Sequence, residues 1–460
     1  MNSKSIAFFA ALSLIFTKPL FVQAQGPGPK MNPKEVKLLI DSLSNALNRL
    51  YVFPDKAAVM IAAVNKQYKS GAYNKSPNRF ELSMQIHKDL QQVHKDPHLS
   101  IIYEPEFAKD IETIRSEAEQ KEEHNMILNR MREENFAFVK TEILDGNIGY
   151  VRWDGFVEFV DEAKTTLNSA FQFVSNSKAL IIDMRYNGGG SPEMVLQIQN
   201  YFFNKQVSMN HIIDRSLDTV KRYTDPSKTD FKLNMPVYIL TAKRTFSGAE
   251  DFTYGLKYAK RATVIGDTTG GGAHPTGSFS IGQGFVVNIP THRSSNDVTN
   301  TDWEGTGVWP DIAIPSEQAL TKAQALIFTE LIAKATDERE KEELKWNLNL
   351  LENKTLLANQ LKKEIVTFTK DELVKYCGDY TPSTTGAPLL PMSIILQGNN
   401  IYRHLNNGVE DVRLVPVSAN KFVYDDESGR AITFTLGKDG VATDLILSRP
   451  DGVFTLNKKK

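Results

Sequence analysis

Apolar residues in the first part of the chain recur at helical spacing. Residues 36–50 carry apolar side chains three or four positions apart, which predicts an amphipathic helix. A second helix is predicted to begin with Ser76-Pro77 as cap and first residue, and its apolar face continues to Val93. Residues 107–134 are charged and predict further helix. A helical domain over residues 31–100 is therefore expected to follow a linker.

The pattern changes after residue 144, where apolar runs alternate with glycine-rich turns. Residues 179–184 (ALIIDM) form a continuous apolar run of strand length, which is typical of a parallel strand buried on both faces. The run ends at a glycine turn, and Ser191-Pro192 predicts the start of a helix. Residues 237–242 (VYILTA), the turn KRTFSGAED and another helix repeat this order. Two strand–turn–helix units predict an α/β fold.

The last third of the chain differs from this core. Residues 316–365 are charged and helix-forming, which predicts a helical connector. Residues 366–460 contain short alternating runs separated by the turns Gly398-Asn399 and Asp439-Gly440. This pattern predicts a small antiparallel β domain, and no cluster of reactive side chains stands out in it.

The N-terminus has the pattern of an export signal. Lys4 precedes an apolar run over residues 6–16, and a small residue, Ala24, stands before Gln25. Lys18-Pro19 interrupts the run, which is too short to span a membrane, and no later stretch is long enough. Residues 1–24 are therefore predicted to be a signal peptide cleaved after Ala24, with a periplasmic or secreted product and no membrane span.

Charge and cysteine content exclude several partner classes. The 54 Lys and Arg against 55 Asp and Glu give a net charge of -1, which argues against a nucleic-acid partner. The single cysteine, Cys377, permits neither an intramolecular disulfide nor a thiolate metal cluster. The eight histidines are scattered without a metal-binding motif. Neither a metal nor an organic cofactor is expected.

Ser247, at the turn between a strand and a helix, is the first candidate for chemistry. One interpretation is structural, because Ser247-Gly248-Ala249-Glu250 matches a capping box in which Glu250 reaches back to the serine amide. The other is catalytic, because helix amides and the helix dipole can stabilise an oxyanion beside such a hydroxyl. Lys257 and Lys260 follow about three and four turns along the same helix, too far to act as the base. A histidine base is therefore favoured.

Several ordered motifs resemble those of one family. The segments ALIIDMRYNGGG, TFSGAEDF, GDTTGGGA and WEGTGVWPDI resemble the C-terminal processing (tail-specific) serine peptidases. Within this family, the segment DPHLS, at Asp96 to Ser100, and Glu304 resemble the motifs of one branch. That branch contains the tricorn protease core and the interphotoreceptor retinoid-binding protein modules. The resemblance covers residues 31–315. It implies a Clp peptidase and crotonase-like ββα superhelix over residues 101–315, which follows the helical domain in the chain.

Carried over by position, the resemblance implies a Ser-His-Glu triad. Ser247 would be the nucleophile, His98 the general base, and Glu304 the carboxylate that orients the histidine. The oxyanion donors would be the backbone amides of Gly248 and Gly189. The implied function is that of an exported serine endopeptidase, which cleaves peptide or protein substrates through an acyl-enzyme.

This sequence also departs from the family pattern. Pro97 stands before His98, where the family commonly has glycine or, in tricorn, a serine that relays to the glutamate; Ser100 is an alternative link. Glu250 competes with Glu304 as the third member. His274 and His292 are rival bases on core loops.

Only about 45 residues separate Ser100 from the first core strand, too few for an inserted PDZ domain, so capture of free C-termini is not predicted.

Two further functional hypotheses remain open. A non-catalytic binder of small hydrophobic ligands or peptides could use the same scaffold. A structural protein could act through residues 366–460. The joint presence of serine, histidine and glutamate favours the enzyme.

Overall fold

The computed structural model describes residues 26–383, 390–405, 409–426, 428–449 and 452–459. The predicted signal peptide lies outside these ranges. The chain divides into two compact units, one ending at Ala319 and one beginning at Leu320. Within the described residues, no helix is both long and apolar enough to cross a membrane.

The first unit opens with helices, as predicted. The apolar face of the first helix is buried against the other helices and against residues of a small antiparallel sheet. The second predicted helix begins two residues later than expected, because Asn78, not Ser76, caps it by accepting a hydrogen bond from the Glu81 amide at 2.8 Å. The elements are α1 (Pro33–Leu50), α2 (Pro54–Lys69), α3 (Arg79–Val93), β1 (Ser100–Tyr103), α4 (Pro105–Glu112) and α5 (Glu117–Glu133).

A six-stranded sheet with packed helices forms the core of this unit. The elements that follow α5 in the first unit, in chain order, are β2 (Phe138–Leu144), β3 (Ile148–Trp153), α6 (Val160–Phe173), β4 (Ala179–Asp183), α7 (Pro192–Gln199), β5 (His211–Asp214), β6 (Thr219–Val220), β7 (Val237–Thr241), α8 (Gly248–Tyr258), β8 (Ala262–Gly266), β9 (Thr276–Ser280), β10 (Phe285–Pro290), β11 (His292–Ser295) and β12 (Ile312–Ala313). The strand order is β12-β8-β7-β4-β3-β2. Only β2 runs antiparallel to its neighbour. The predicted α/β class is confirmed.

The parallel pairing of β4 and β7 positions the candidate site. Both strands are buried along their whole length, as their continuous apolar runs predicted. Asp183 pairs with Leu240, so the carboxyl ends of the two strands meet at one edge of the sheet. The glycine turn after β4 and the serine turn after β7 therefore lie side by side, where open α/β sheets commonly bind ligands.

Two smaller antiparallel sheets complete the first unit. One has the order β1-β10-β9, and the other has the order β11-β5-β6. Because β1 pairs with β10, the loop between α3 and β1, which carries His98, is held against the core.

The second unit contains helices and then the predicted antiparallel β domain. Its helices are α9 (Ala319–Lys334, which begins at the boundary), α10 (Glu338–Lys363) and α11 (Lys370–Val374). Its strands form a closed antiparallel barrel around a core that includes Tyr380, Phe422 and Phe434. The strands are β13 (Gly378–Pro382), β14 (Met392–Gln397), β15 (Asn400–His404), β16 (Val412–Pro416), β17 (Lys421–Tyr424), β18 (Ala431–Leu436), β19 (Ala442–Arg449) and β20 (Gly452–Lys458).

Candidate active site

Ser247 occupies a strained turn between β7 and α8. Its φ of 53° and ψ of -118° lie outside the regions that L-residues usually adopt. Such strain persists only where the surroundings enforce it, and it is concentrated at functional sites. The turn is held because Phe246 N donates to Asn187 O at 3.2 Å. Ser247 is half-buried and directly precedes the N-terminus of α8, where the helix dipole favours negative charge.

The glycine turn after β4 packs against this serine. A Cβ added to Gly189 would lie 2.8 Å from the Cβ of Ser247, and one added to Gly248 would lie 3.0 Å from Gly190 N. The amide of Gly189 donates to Asn187 Oδ1 at 2.8 Å. Among the described residues, no acceptor is found for the amides of Gly190 and Gly248. These two amides are therefore the available donors beside Ser247.

His98 lies next to the nucleophile segment. Its ring contacts the ring of Phe246, with centroids 4.7 Å apart, and its backbone amide donates to Asp96 Oδ1 at 3.0 Å. Burial lowers the pKa of His98 to about 4, so the imidazole is neutral at pH 7. Its Nδ1 is buried and has no hydrogen-bond partner in the described part of the chain.

Glu304 contacts a different histidine from the one predicted. Its Oε2 accepts a hydrogen bond from Ala273 N at 2.6 Å and lies 3.4 Å from Nδ1 of His274. That nitrogen also lies 3.4 Å from Asp96 Oδ2. The connection from Glu304 to His98 therefore runs through His274 and Asp96. Within the described ranges, no hydrogen bond joins His98 directly to Glu304 or Ser247.

Burial and charge shift the acid–base properties of this cluster. Burial raises the pKa of Glu304 to about 7. For His274, burial acts to lower the pKa, but the hydrogen bond to Asp96 and the charge of Glu304 raise it overall. Asp96 has a lowered pKa although burial opposes this, because it is hydrogen-bonded to His274, the Tyr51 hydroxyl and the His98 amide. The buried cluster thus links two carboxylates through one imidazole.

Glu250 joins the nucleophile segment to the GDTTGGG loop. Its carboxylate accepts a hydrogen bond from Ser247 N at 2.9 Å, which is the reach-back predicted by the capping-box interpretation. It also accepts bonds from the Thr269 hydroxyl and from the amides of Gly271 and Gly272, the latter two at 2.7 and 2.8 Å. Burial raises its pKa to about 7. Its contacts are those of a group that positions the loop around Ser247.

The other residues weighed from the sequence have separate contacts. Ser100 accepts a hydrogen bond from Asn288 Nδ2 at 2.8 Å, so it does not fill the gap between Glu304 and His98. Nδ1 of His292, the first residue of β11, lies 2.8 Å from the Thr291 hydroxyl. Lys257 forms an ion pair with Asp311 at 2.9 Å.

Three residues of the site were not assigned roles from the sequence. Asp96 belongs to the DPHLS segment, but only its contacts with His98 and His274 show what it does. The Tyr51 hydroxyl donates a hydrogen bond to Asp96, which is 45 positions away in the sequence. Asn187 accepts one from the amide of Gly189, which is 2 positions away. No local pattern announces a long-range contact such as that of Tyr51, whereas the asparagine of YNGGG is a common turn residue whose side chain bonds nearby amides.

Models of two protein families match the first unit. Residues 147–314 match peptidase family S41, and residues 33–144 match the N-terminal domain of Peptidase_S41 in eukaryotic IRBP. Among curated proteins, carboxyl-terminal-processing peptidase 2 of Arabidopsis thaliana chloroplasts is 26% identical over 172 residues, which are 36% of this chain and 32% of that protein. The carboxy-terminal processing protease CtpB of Bacillus subtilis is 30% identical over 138 residues, 30% of this chain and 28% of its own. The chain thus spans about a third of the length of these relatives.

Solved structures to which this chain is similar include a putative peptidase and the tricorn protease. A putative peptidase from Parabacteroides merdae has a TM-score of 0.47 at 21% identity and covers 64% of this chain and 96% of its own. The tricorn protease has a TM-score of 0.41 at 14% identity and covers 65% of this chain and 37% of its own. The two matched models together extend over most of residues 33–314 and agree with the motifs around Ser247. The chain belongs to peptidase family S41, the family of the C-terminal processing peptidases.

Proposed function

We propose that this protein is a serine endopeptidase that hydrolyses peptide bonds through an acyl-enzyme. One observation carries the proposal: Ser247 stands in a strained turn at the N-terminus of α8, beside two available backbone amides and next to the residue that His98 contacts. A nucleophile, a base and oxyanion donors are the parts that acyl transfer requires. Membership of family S41 supports the same reaction class.

His98 is the general base in this proposal. As Ser247 Oγ attacks the carbonyl carbon of the scissile bond, the imidazole takes the hydroxyl proton. It then gives this proton to the leaving amine, and the acyl group stays on Ser247. Water repeats the sequence, which releases the acid and restores the serine. The lowered pKa of His98 keeps the imidazole neutral and ready to accept a proton at neutral pH.

The oxyanion is stabilised by backbone amides from both turns. The Gly248 amide at the start of α8 supplies one donor in this proposal, as the family resemblance implies. For the second donor, Gly190 is better placed than Gly189, because the Gly189 amide already donates to Asn187. Each such donor raises kcat by a factor of about 10²–10³.

Glu304 supports His98 indirectly in this proposal. Its negative charge is connected to the His98 loop through His274 and Asp96, and Asp96 holds the His98 backbone amide. Glu304 is therefore a positioning residue, with Asp96 and His274 as the intermediate members.

Export of the protein remains part of the proposal. It is supported by the pattern of residues 1–24, with a basic start, an apolar run and a small residue before the expected cleavage site. The substrate would then be a peptide or protein in the periplasm or outside the cell.

Labelling with a fluorophosphonate serine probe tests the assignment. The expected result is one covalent adduct, which peptide mapping places on Ser247 and which is absent from Ser247→Ala. His98→Ala should label far more slowly, because the hydroxyl loses its base. If the protein stays unlabelled while a known serine hydrolase reacts alongside it, or if the adduct maps to another serine, the non-catalytic ligand-binding hypothesis gains support.

A further inference from the structure

Asp96, His274 and Glu304 bring three potential metal ligands together. One ligand atom from each lies within 4.8 Å of the others. His274 Nδ1 stands 3.4 Å from both Asp96 Oδ2 and Glu304 Oε2. Hydrogen bonds between N–H and O are usually about 2.7–3.2 Å long, so neither contact is a short one. Ligands bound to tetrahedral Zn²⁺ at about 2.0–2.1 Å stand about 3.3–3.4 Å from each other, which fits both observed distances.

The negative charges of the two buried carboxylates, Asp96 and Glu304, also favour a bound cation. The Asp96 side chain is 0% exposed, that of His274 is 4% exposed and that of Glu304 is 15% exposed. In the part of the chain that the structure describes, no Lys or Arg forms an ion pair with either carboxylate, and Glu304 Oε1 is buried without a hydrogen-bond partner. Buried carboxylates need a compensating charge. A protonated His274 would supply one positive charge between the two carboxylates, whereas one divalent cation would neutralise both and leave the imidazole neutral.

The two carboxylates of the cluster have outer hydrogen-bond partners of the kind that metal ligands have. The Tyr51 hydroxyl donates to Asp96 Oδ2 at 2.7 Å, and Ala273 N donates to Glu304 Oε2 at 2.6 Å. On the far side of the imidazole, Asp302 Oδ2 lies 4.0 Å from His274 Nε2, which is beyond hydrogen-bond distance. In metal sites, such hydrogen-bond partners orient the ligating carboxylates.

We propose that Asp96, His274 and Glu304 form a binding site for a divalent cation with the ligand preference of Zn²⁺. Imidazole nitrogen and carboxylate oxygen are both ligands of zinc, and a zinc site with three protein ligands takes water as the fourth. Ca²⁺ and Mg²⁺ prefer oxygen ligands alone, and in larger number, so the histidine favours zinc over them.

The proposed ligands come from three separate loops of the first unit. Asp96 lies between α3 and β1, His274 between β8 and β9, and Glu304 before β12. A cation bound there ties these loops together. Because Asp96 Oδ1 also accepts the amide hydrogen of His98, the cation would hold the His98 loop in place. The role is one of positioning, and no reaction step passes through the cation.

Zinc titration of the purified, tag-free protein tests the site. The protein is stripped with a chelator, dialysed and titrated with ZnCl₂, and bound zinc is measured by elemental analysis. We expect about one equivalent of zinc per chain and an affinity at least about 100-fold lower in His274→Asn. The matched control is His404→Asn, because His404 contacts Asp411 at 2.7 Å in the second unit. This control should bind zinc like the wild type.

A second measurement does not depend on a variant that folds. Co²⁺ added to the stripped wild-type protein should give the visible absorption of a four-coordinate site with N and O ligands, and prior addition of Zn²⁺ should prevent it. Binding that is below stoichiometric in the wild type, or equal in wild type and a folded His274→Asn, would overturn the proposal; the cluster then holds a proton instead. Ser247→Ala should bind zinc normally, so failure of the metal site and failure of the peptidase assignment are separate results.

Discussion

The imidazole of His98 and the ring of Phe246 contact each other with their centroids 4.7 Å apart. Phe246 directly precedes Ser247, so the proposed base rests on the chain neighbour of the proposed nucleophile. Gly272 borders the same pair, since a Cβ there would lie 2.4 Å from His98 Cε1 and 2.3 Å from the end of the Phe246 ring. The GGG loop therefore admits no side chain at this position, and the glycine allows the histidine to lie this close.

Replacing Ser247 by alanine should remove the activity and leave the fold intact. We expect kcat/KM on a peptide substrate to fall by about 10⁴–10⁶, because loss of a triad nucleophile leaves only the contribution of the oxyanion donors and substrate binding. The thermal midpoint should stay near that of the wild type. Ser175→Ala is the matched control, since Ser175 is a half-buried serine, like Ser247, and bonds only within its own turn. Equal activity in Ser247→Ala and Ser175→Ala would contradict the assignment.

The activity should depend on pH through a histidine with a lowered pKa. His98 acts as a base only when neutral, and burial moves its pKa from about 6.5 to about 4. Raising the pH through this range therefore raises kcat/KM as His98 loses its proton. The measurement is a pH profile of kcat/KM on a substrate without ionisable groups.

Phe246→Leu provides the check on this pH dependence. The smaller side chain lets water reach the imidazole, so the apparent pKa should rise towards that of free histidine. A profile governed by a group near 10, or one that Phe246→Leu leaves unmoved, would argue that His98 is not the base.

Much of the fold could be predicted because its signals are local. The apolar runs of β4 and β7 and the cap formed by Ser191 and Pro192 identify their elements without any long-range information. The same holds for the hairpin turn Gly398-Asn399 of the β domain. The cap at Asn78 was missed because Ser76-Pro77 is an equally good local signal, and only the observed bond to the Glu81 amide decides between them.

The connections within the site could not be predicted in this way. The pairing of Glu304 with His274 depends on how two loops 30 residues apart fold onto each other. The choice between the Gly189 and Gly190 amides depends on one side-chain bond from Asn187. Residue types and motifs indicate which groups take part, whereas contacts across the fold decide which group touches which.

Gly248→Ala should separate activity from stability at the oxyanion donors. A Cβ at this position would lie 2.9 Å from Gly190 O and 3.0 Å from Gly190 N, so the two turns must move apart and their amides no longer converge. We expect kcat to fall by about 10²–10³, as for the loss of one oxyanion donor. KM should change less, because the donors act mainly on the transition state.

Gly282→Ala serves as the opposite control for Gly248→Ala. Nothing lies within 4 Å of a Cβ at Gly282, but its φ of +83° is unfavourable for alanine. This variant should therefore lose stability and keep its kcat. If Gly248→Ala retained full kcat, the convergence of the two amides would not be needed for the reaction.

Glu250→Gln should destabilise the protein more at pH 5 than at pH 8. Burial raises the folded-state pKa of Glu250 to about 7, above the unfolded value of about 4.3. Between these values the folded state binds more protons than the unfolded state, so the contribution of Glu250 to the free energy of unfolding falls as the pH rises. Glutamine does not titrate, and its side-chain NH₂ group would face backbone N–H donors that a carboxylate oxygen accepts in the wild type. This mismatch lowers the free energy of unfolding by about 1–3 kcal/mol. Urea unfolding across this pH range, with the exposed Glu162→Gln as control, measures the difference. A destabilisation that grew with pH would mean that the four hydrogen bonds hold Glu250 ionised.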